Sequence, residues 1–265
     1  MSKPVPIPKH SQWVSQILVI GALLRREIAT RFGTYHLGFF WMLFEPLLSV
    51  IVLGLIIGTI TSRSVKDIPY AFFLLNGLMQ LNLFRAAWSC GLNAAGANQG
   101  LLVYSSVNAL DPFIARFLYQ LLTTVFSVIV FCVIGIWMGV ELSLVNLHIV
   151  LAAYLLSWLC GCGLGLIFGV ANFHNNELQK LVPVLQRPLL VISCVLTPCS
   201  TLPPIARKFL LYNPLVHTIE LSRKALFPYY SIPELDLAYP AASAIVLLCL
   251  GLTLYRNNRN TLSHY

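Results

Sequence analysis

Residues 147–172 read LHIVLAAYLLSWLCGCGLGLIFGVAN, a run without a single Asp, Glu, Lys or Arg. A helix needs about 20 mostly apolar residues to cross the hydrocarbon core of a bilayer, so this run is long enough to span one. The rest of the chain has the same character, with 58% hydrophobic and 10% charged residues, against roughly 25% charged residues in soluble domains. The sequence therefore predicts an all-α membrane protein.

Further apolar stretches on both sides predict about six transmembrane helices in one domain covering residues 1–265. Ahead of them, apolar positions at helical spacing predict an interfacial helix over residues 11–35. The fifth span is the weakest, because Gln186, Arg187 and Pro188 interrupt it. The predicted spans are about 41–61, 69–88, 113–138, 147–172, 181–198 and 238–255.

The placement of lysine and arginine predicts which way the helices run. With the N-terminus in the cytoplasm, the outer connections hold 6 of the 17 basic residues, and the remaining 11 lie on or near the cytoplasmic side. This distribution predicts a multi-pass membrane protein whose N- and C-termini are both cytoplasmic. The net charge of +8 forms no basic face with interleaved aromatics, so we expect no nucleic-acid binding.

Two connections between the predicted spans are unusually long. Residues 89–112 form a polar link, rich in Gly and Asn, that is predicted to face the cytoplasm. Residues 199–237 are predicted to face outward and include the semi-apolar stretch 209–227. Because irregular backbone at membrane depth is tolerated only where protein covers it, we predict a re-entrant outer loop before the last helix.

Glycine recurs every fourth residue in the fourth span, at Gly161, Gly165 and Gly169. Glycine at this spacing lets two helix backbones approach closely within a membrane. We therefore predict a tight helix–helix contact along this face of the span.

Sequence motifs of catalysis are missing from the chain, which has no GxxxxGK[ST] loop, no HExxH and no GxSxG. The six histidines are scattered, with no pair at helical ligand spacing, so no metal site is predicted. The seven cysteines are interpreted as small apolar residues of the helices. A Cys194–Cys199 disulfide near an outer face stays open as an alternative. We therefore predict no catalytic residue, no bound cofactor and no enzyme activity in this chain.

Arginines gather toward the predicted cytoplasmic ends of the helices, where they exceed the nearby acids Glu27, Glu45 and Asp111 by six to three. Because guanidinium groups bind phosphate and carboxylate oxygens in pairs, we predict a basic entrance for an anionic substrate or lipid head group. Snorkelling to the interface and attraction to anionic phospholipids are the alternatives. The predicted entrance residues are Arg25, Arg26, Arg31, Arg85, Arg116 and Arg187.

Two stretches carry a family resemblance that covers essentially the whole chain. Residues Arg25–Leu48 read RREIATRFGTYHLGFFWMLFEPLL, and Asn213-Pro214-Leu215 precedes the last span, followed by Glu220 and Arg223. In these respects the chain resembles the permeases of type-2 ABC exporters, and more specifically those that export capsular polysaccharide from Gram-negative bacteria. The resemblance places Asn213, Pro214, Glu220 and Arg223 in the re-entrant outer loop.

This resemblance implies a homodimer bound to two copies of a separate ATPase subunit, which would hold ATP and Mg. The implied cargo is a lipid-linked acidic polysaccharide, received by periplasmic and outer-membrane export proteins. Because the ATPase must act on the inner connections, 89–112 and 173–180, we predict that helices within them dock it. The predicted coupling residues are Asn93, Asn98, Tyr104 and Glu177.

Other functions compete with this interpretation. A related permease for O-antigen or teichoic acid would share the same architecture. A secondary transporter would show acids at mid-depth in the membrane and two matching halves, and the predicted spans show neither. A membrane enzyme or anchor that transports nothing is a further alternative, and the sequence motifs show no site for it.

Overall fold

The computed structural model describes residues 12–32, 48, 68–93, 110–143, 145–175, 177–227, 230 and 235–263, with side chains at the two ends limited to 16–29 and to those before 259. The first predicted span, 41–61, lies outside these ranges except for Leu48, as do Glu45, Asn98 and Tyr104. Arg31 is described in its backbone alone. The helices are α1 (Gln12–Phe32), α2 (Tyr70–Leu92), α3 (Asp111–Trp137), α4 (Leu147–His174), α5 (Leu178–Gln186), α6 (Leu189–Ile192), α7 (Pro204–Leu210), α8 (Pro214–Leu226) and α9 (Ala238–Ser263).

The regular elements of the described ranges are helices, which confirms the predicted all-α class. Three segments are long and apolar enough to cross a membrane, namely α3, α4 and residues Ala238–Asn258 of α9. They contain the cores of the third, fourth and sixth predicted spans. The outward faces of α3 and α9 expose large aliphatic side chains such as Ile129, Val133, Ile245 and Val246, as expected of helices that face lipid.

The close contact predicted for α4 is present, and its partner is α2. A Cβ atom on Gly161 would lie 2.6 Å from the carbonyl oxygen of Phe84, and one on Gly169 would lie 2.6 Å from that of Gly91. Between them, a Cβ on Gly165 would lie 3.2 Å from the Cα of Gly91. Since backbone occupies the space that any larger side chain would need, the prediction of a glycine-mediated helix contact is confirmed.

The opposite face of α4 packs against α9 by the same device. A Cβ on Gly163 would lie 2.8 Å from the backbone of Leu247, and a Cβ on Gly251 would lie 3.1 Å from the carbonyl oxygen of Gly163. Helix α4 therefore lies between α2 and α9 and forms the centre of the bundle. Helix α1 packs on α3, at the side of the bundle.

The region of the fifth predicted span, 181–198, contains two short helices rather than one long one. Helix α5 ends at Gln186, and α6 begins after Pro188, whose ring removes a backbone donor. Each helix is shorter than the roughly 30 Å of a bilayer core at about 1.5 Å per residue. The chain then turns through residues 193–198 into a short 3-10 helix at Cys199–Thr201.

Helix α8 lies inside the bundle, against α2, α4 and α9. It begins in the ordinary way for a capped helix, with the Asn213 side chain accepting a hydrogen bond from the Leu215 N–H at 3.1 Å and Pro214 at the first helical position. Nearly every residue of α8 is buried, including the charged side chains of Glu220 and Arg223. The segment expected in the outer connection thus folds back onto the spans that precede and follow it.

Candidate functional site

The first polar cluster is a buried ion pair on α8. Glu220 and Arg223 are separated by one turn, are both 0% exposed in their side chains, and approach to 3.1 Å between Oε1 and Nη1. Isolated charges in such a position would cost several kcal/mol each, so their mutual neutralisation is what permits burial. The sequence predicts these two residues in the outer loop and predicts no acid at mid-depth in a span.

Backbone carbonyls satisfy most of the remaining donors of Arg223. Its Nη1 donates to the carbonyl oxygen of Cys194 at 2.8 Å, and its Nη2 donates to those of Val195 at 2.8 Å and Phe73 at 3.2 Å. The guanidinium carbon also lies 3.5 Å from the centroid of the Phe73 ring, a cation–π geometry. One arginine thus ties α8 to α2 and to the turn that follows α6.

Glu220 completes the cluster from the other side. Its Oε1 accepts a hydrogen bond from the backbone N–H of Cys199 at 3.1 Å, and its Oε2 accepts one from the hydroxyl of Tyr230. Together, Glu220 and Arg223 therefore connect α8 to α2, to the turn after α6 and to the segment that follows α8. With its charge neutralised in place by Arg223, Glu220 is suited to fixing structure rather than to relaying protons.

A ladder of neutral polar side chains continues from this cluster between α2, α4 and α8. The Ser222 hydroxyl lies 2.8 Å from Asn76 Oδ1 and 3.1 Å from Gln80 Oε1. Gln80 in turn donates to the Ser157 hydroxyl at 3.0 Å, which donates to the Thr218 hydroxyl at 2.8 Å. All five side chains are buried, so the ladder fixes the register of the three helices at the level of the ion pair.

The second polar cluster lies toward the other end of α2. The Arg85 Nη2 donates to the carbonyl oxygen of Gln186 at 2.6 Å, where α5 ends and its carbonyls lack helical partners. The Gln186 Nε2 donates hydrogen bonds to the Arg85 carbonyl oxygen at 3.3 Å and to the Ser89 hydroxyl at 3.1 Å. Arg85 therefore anchors the break between α5 and α6 to α2.

The predicted entrance arginines fall into groups with different surroundings. Arg116 forms an ion pair with Glu27 of α1 at 3.5 Å, and both side chains are largely buried. Arg25, Arg26 and Arg187 are exposed. Arg85 and Arg116 are therefore engaged within the protein.

Two of the predicted coupling residues lie in the described part of the chain. Asn93 follows the last turn of α2 and is exposed, with its Nδ2 bonded back to the Ser89 carbonyl at 3.0 Å. Glu177 precedes α5 and is exposed, 3.6 Å from Lys180. Asn172 of α4 joins the two regions, because its Nδ2 lies 3.5 Å from the carbonyl oxygen at the end of α2.

The arrangement is one of packing and charge rather than of reactive groups. Within the described ranges, no group of three His, Cys, Asp or Glu side chains is placed to hold a metal ion. Glu220 and Arg223 were predicted as residues of the re-entrant loop, but their burial as an ion pair was not predicted. Their three-residue spacing amid Leu215, Val216 and Ile219 was a usable signal for it.

The sequence of this chain matches a transporter family and is similar to several transport and export proteins. Residues 19–227 match the profile of the ABC-2 type transporter family. The chain is 37% identical over 248 residues to the polysialic acid transport protein KpsM of Escherichia coli, covering 93% of this chain and 96% of that protein. It is 30% identical over 237 residues to the capsule polysaccharide export inner-membrane protein CtrC of Neisseria meningitidis serogroup A, covering 88% of each. It is also 25% identical over 252 residues to the O-antigen export system permease protein RfbA of Myxococcus xanthus, covering 90% of this chain and 91% of that protein.

Proposed function

This chain belongs to the ABC-2 type transporter family, and we propose that it is the permease subunit of an ATP-driven exporter of lipid-linked acidic capsular polysaccharide. The observation that carries the proposal is its similarity, over 93% of its length, to a polysialic acid transport protein. Polysialic acid bears a carboxylate on each sugar, so a related permease is suited to an anionic polymer. The chain itself would provide the passage across the bacterial inner membrane.

The proposed topology has about six spans, with both termini in the cytoplasm and α7 and α8 as a re-entrant unit on the outer side. The burial of α8 against α2, α4 and α9 supports re-entry, because that helix precedes the last span and is covered by protein. The Glu220–Arg223 pair would hold this unit in place. Its position makes it suited to shaping the outer end of the passage.

The proposed partners are a second copy of this chain and two copies of an ATPase subunit that binds ATP and Mg. The ATPase would dock at the inner connections 89–112 and 173–180, which contain Asn93 and Glu177. A push there would reach the bundle directly, because the ends of α2 and α4 are joined through Asn172. Periplasmic and outer-membrane export proteins would receive the polymer.

We propose that three of the six predicted arginines form the basic entrance. Arg187 lies exposed at the α5–α6 break, and Arg25 and Arg26 are exposed near the end of α1. These three exposed guanidinium groups are proposed to contact phosphate or carboxylate oxygens of the lipid-linked end. Arg85 and Arg116 would position the helices that carry them, through the Gln186 carbonyl and Glu27 respectively.

The similarity to an O-antigen export permease supports a second candidate cargo, a lipid-linked O-antigen. Teichoic acid would suit the same architecture through its phosphates. A secondary transporter is less well supported, since the one acid within the described part of α8, Glu220, is bound to Arg223. An experiment must therefore distinguish acidic capsular polysaccharide from the other candidate cargoes.

A genetic replacement tests the proposal. In a capsulated Gram-negative host whose own permease gene is deleted, this chain and its ATPase are expressed together, and surface polysaccharide is measured with intracellular polymer. We expect acidic capsule to return to the surface, and to remain inside the cell when the ATPase carries an inactive nucleotide site. Export with the inactive ATPase, or restoration of O-antigen in place of capsule in a parallel host, would overturn the assignment.

A further inference from the structure

The turn between α6 and the 3-10 helix carries two cysteines that meet at its ends. The side chains of Cys194 and Cys199 lie within hydrogen-bonding reach of each other. Both are buried, at 1% and 0% exposure, and they pack in one small cluster with Val216 of α8. The two residues are five positions apart in the chain, at the two ends of the turn.

This turn is also the part of the chain that the buried ion pair grips. The carbonyl oxygen of Cys194 accepts from Arg223, and the N–H of Cys199 donates to Glu220. Cys194 adopts a left-handed backbone with φ of 53°, which is uncommon for a residue other than glycine and requires a surrounding structure that holds it. A covalent link between the two ends would fix that backbone.

We propose that Cys194 and Cys199 form an intramolecular disulfide that staples this turn on the outer side of the inner membrane. The proposal rests on the proposed function, because the topology given there puts the turn at the outer end of the fifth span, at the face of an oxidising compartment where disulfides persist. The bond forms by thiol–disulfide exchange with the disulfide of a dithiol oxidase. One sulfur of the turn enters a mixed disulfide and the second displaces the oxidase, which leaves as a dithiol carrying both hydrogens and both electrons.

Burial sets the order of events. Because α8 covers both sulfurs in the folded chain, exchange takes place during insertion, before α8 closes over the turn. The staple is consequently a permanent part of the fold. Cys160 and Cys162 give a useful contrast, since residues two apart on a helix point to different faces and do not meet.

Differential alkylation of the whole protein tests the proposal without any substitution. Membranes are denatured in one alkylating reagent, then reduced, treated with a second reagent and digested with trypsin. The peptide 181–207 contains both cysteines and no other. We expect this peptide to carry two copies of the second label and none of the first. Without reduction, its mass should be that of the unlabelled dithiol peptide less two hydrogens. Two copies of the first label on this peptide would overturn the disulfide.

Matched variants guard against misassignment. Cys194→Ser should switch Cys199 to the first label, whereas the control Cys160→Ser should leave the 181–207 peptide with the second label alone. Lys208→Cys on α7, an exposed position, reports the side of the membrane when intact cells are treated with an impermeant maleimide.

The two failures are distinguishable. Labelling of Lys208→Cys from outside, together with free thiols at 194 and 199, would sink the disulfide and leave the proposed topology standing. Labelling of that position only after the membrane is opened would overturn the topology and the disulfide with it.

Discussion

Replacing Arg223 with methionine should destabilise the protein strongly, because it strands a buried carboxylate. Methionine keeps much of the volume but removes the donors to Glu220 and to the carbonyls of Cys194, Val195 and Phe73. Breaking one side of a fully buried ion pair costs about 3–5 kcal/mol. Glu220 would keep the Cys199 N–H and the Tyr230 hydroxyl, so we expect a cost within that range rather than above it.

A double substitution separates this effect from simple loss of volume. In Glu220→Gln together with Arg223→Met, no charge remains to be stranded, so the cost should fall below that of Arg223→Met alone. The two single changes should therefore be strongly non-additive, by about 0.5–3 kcal/mol. The matched control is Lys224→Met, since Lys224 is the next residue along α8 and is exposed.

The free energy of unfolding is measured on protein in mild detergent by titration with a denaturing surfactant. Export is measured in parallel at equal protein levels in the membrane. Arg223→Met should unfold at a much lower surfactant fraction than wild type, while Lys224→Met should unfold with it. A variant Arg223→Met as stable as wild type would refute the reasoning. Equal costs for the single Arg223→Met and the double variant would show that the charge of Glu220 is not the cause.

Gly165→Leu should destabilise the α2–α4 contact by at least about 1–3 kcal/mol in the same surfactant titration, whereas Gly21→Leu, whose added Cβ has nothing within 4 Å, should change little. Asn93→Cys and Glu177→Cys should crosslink to the ATPase subunit through a short bifunctional reagent, and crosslinks confined to α1 would show that the inner connections do not dock it. Arg187→Lys keeps the charge but loses the forked guanidinium, so export at matched protein levels should fall several-fold; full export would leave only attraction to lipid head groups for this residue.

The bundle was predictable from the sequence to the extent that composition decides it. An uncharged, apolar run such as 147–172 is stable only within a membrane or a protein core. Its glycine spacing predicts the close contact that α4 makes with α2. The interruption at Gln186-Arg187-Pro188 likewise marks the break between α5 and α6. These signals are local, which is why a single sequence is enough to carry them.

The candidate site was less predictable, because its charges are satisfied by residues far along the chain. Glu220 and Arg223 resemble loop residues in a hydropathy profile, and nothing local shows that the carbonyls of Cys194 and Val195 will meet the guanidinium. The same holds for Arg116, whose partner Glu27 lies on a different helix. Buried charge of this kind is set by tertiary contacts, and apolar periodicity alone does not indicate it.

ATP-driven translocation by the purified complex tests the central claim most directly. Proteoliposomes containing this chain and its ATPase subunit, with nucleotide sites facing outward, are given lipid-linked acidic polysaccharide in their outer leaflet. The fraction of polymer that becomes inaccessible to an added depolymerase is then followed. The account predicts protection that requires ATP hydrolysis, disappears with an inactive ATPase, and is not matched by a neutral polymer on the same lipid. Protection that is independent of ATP, or equal for the neutral polymer, would contradict it.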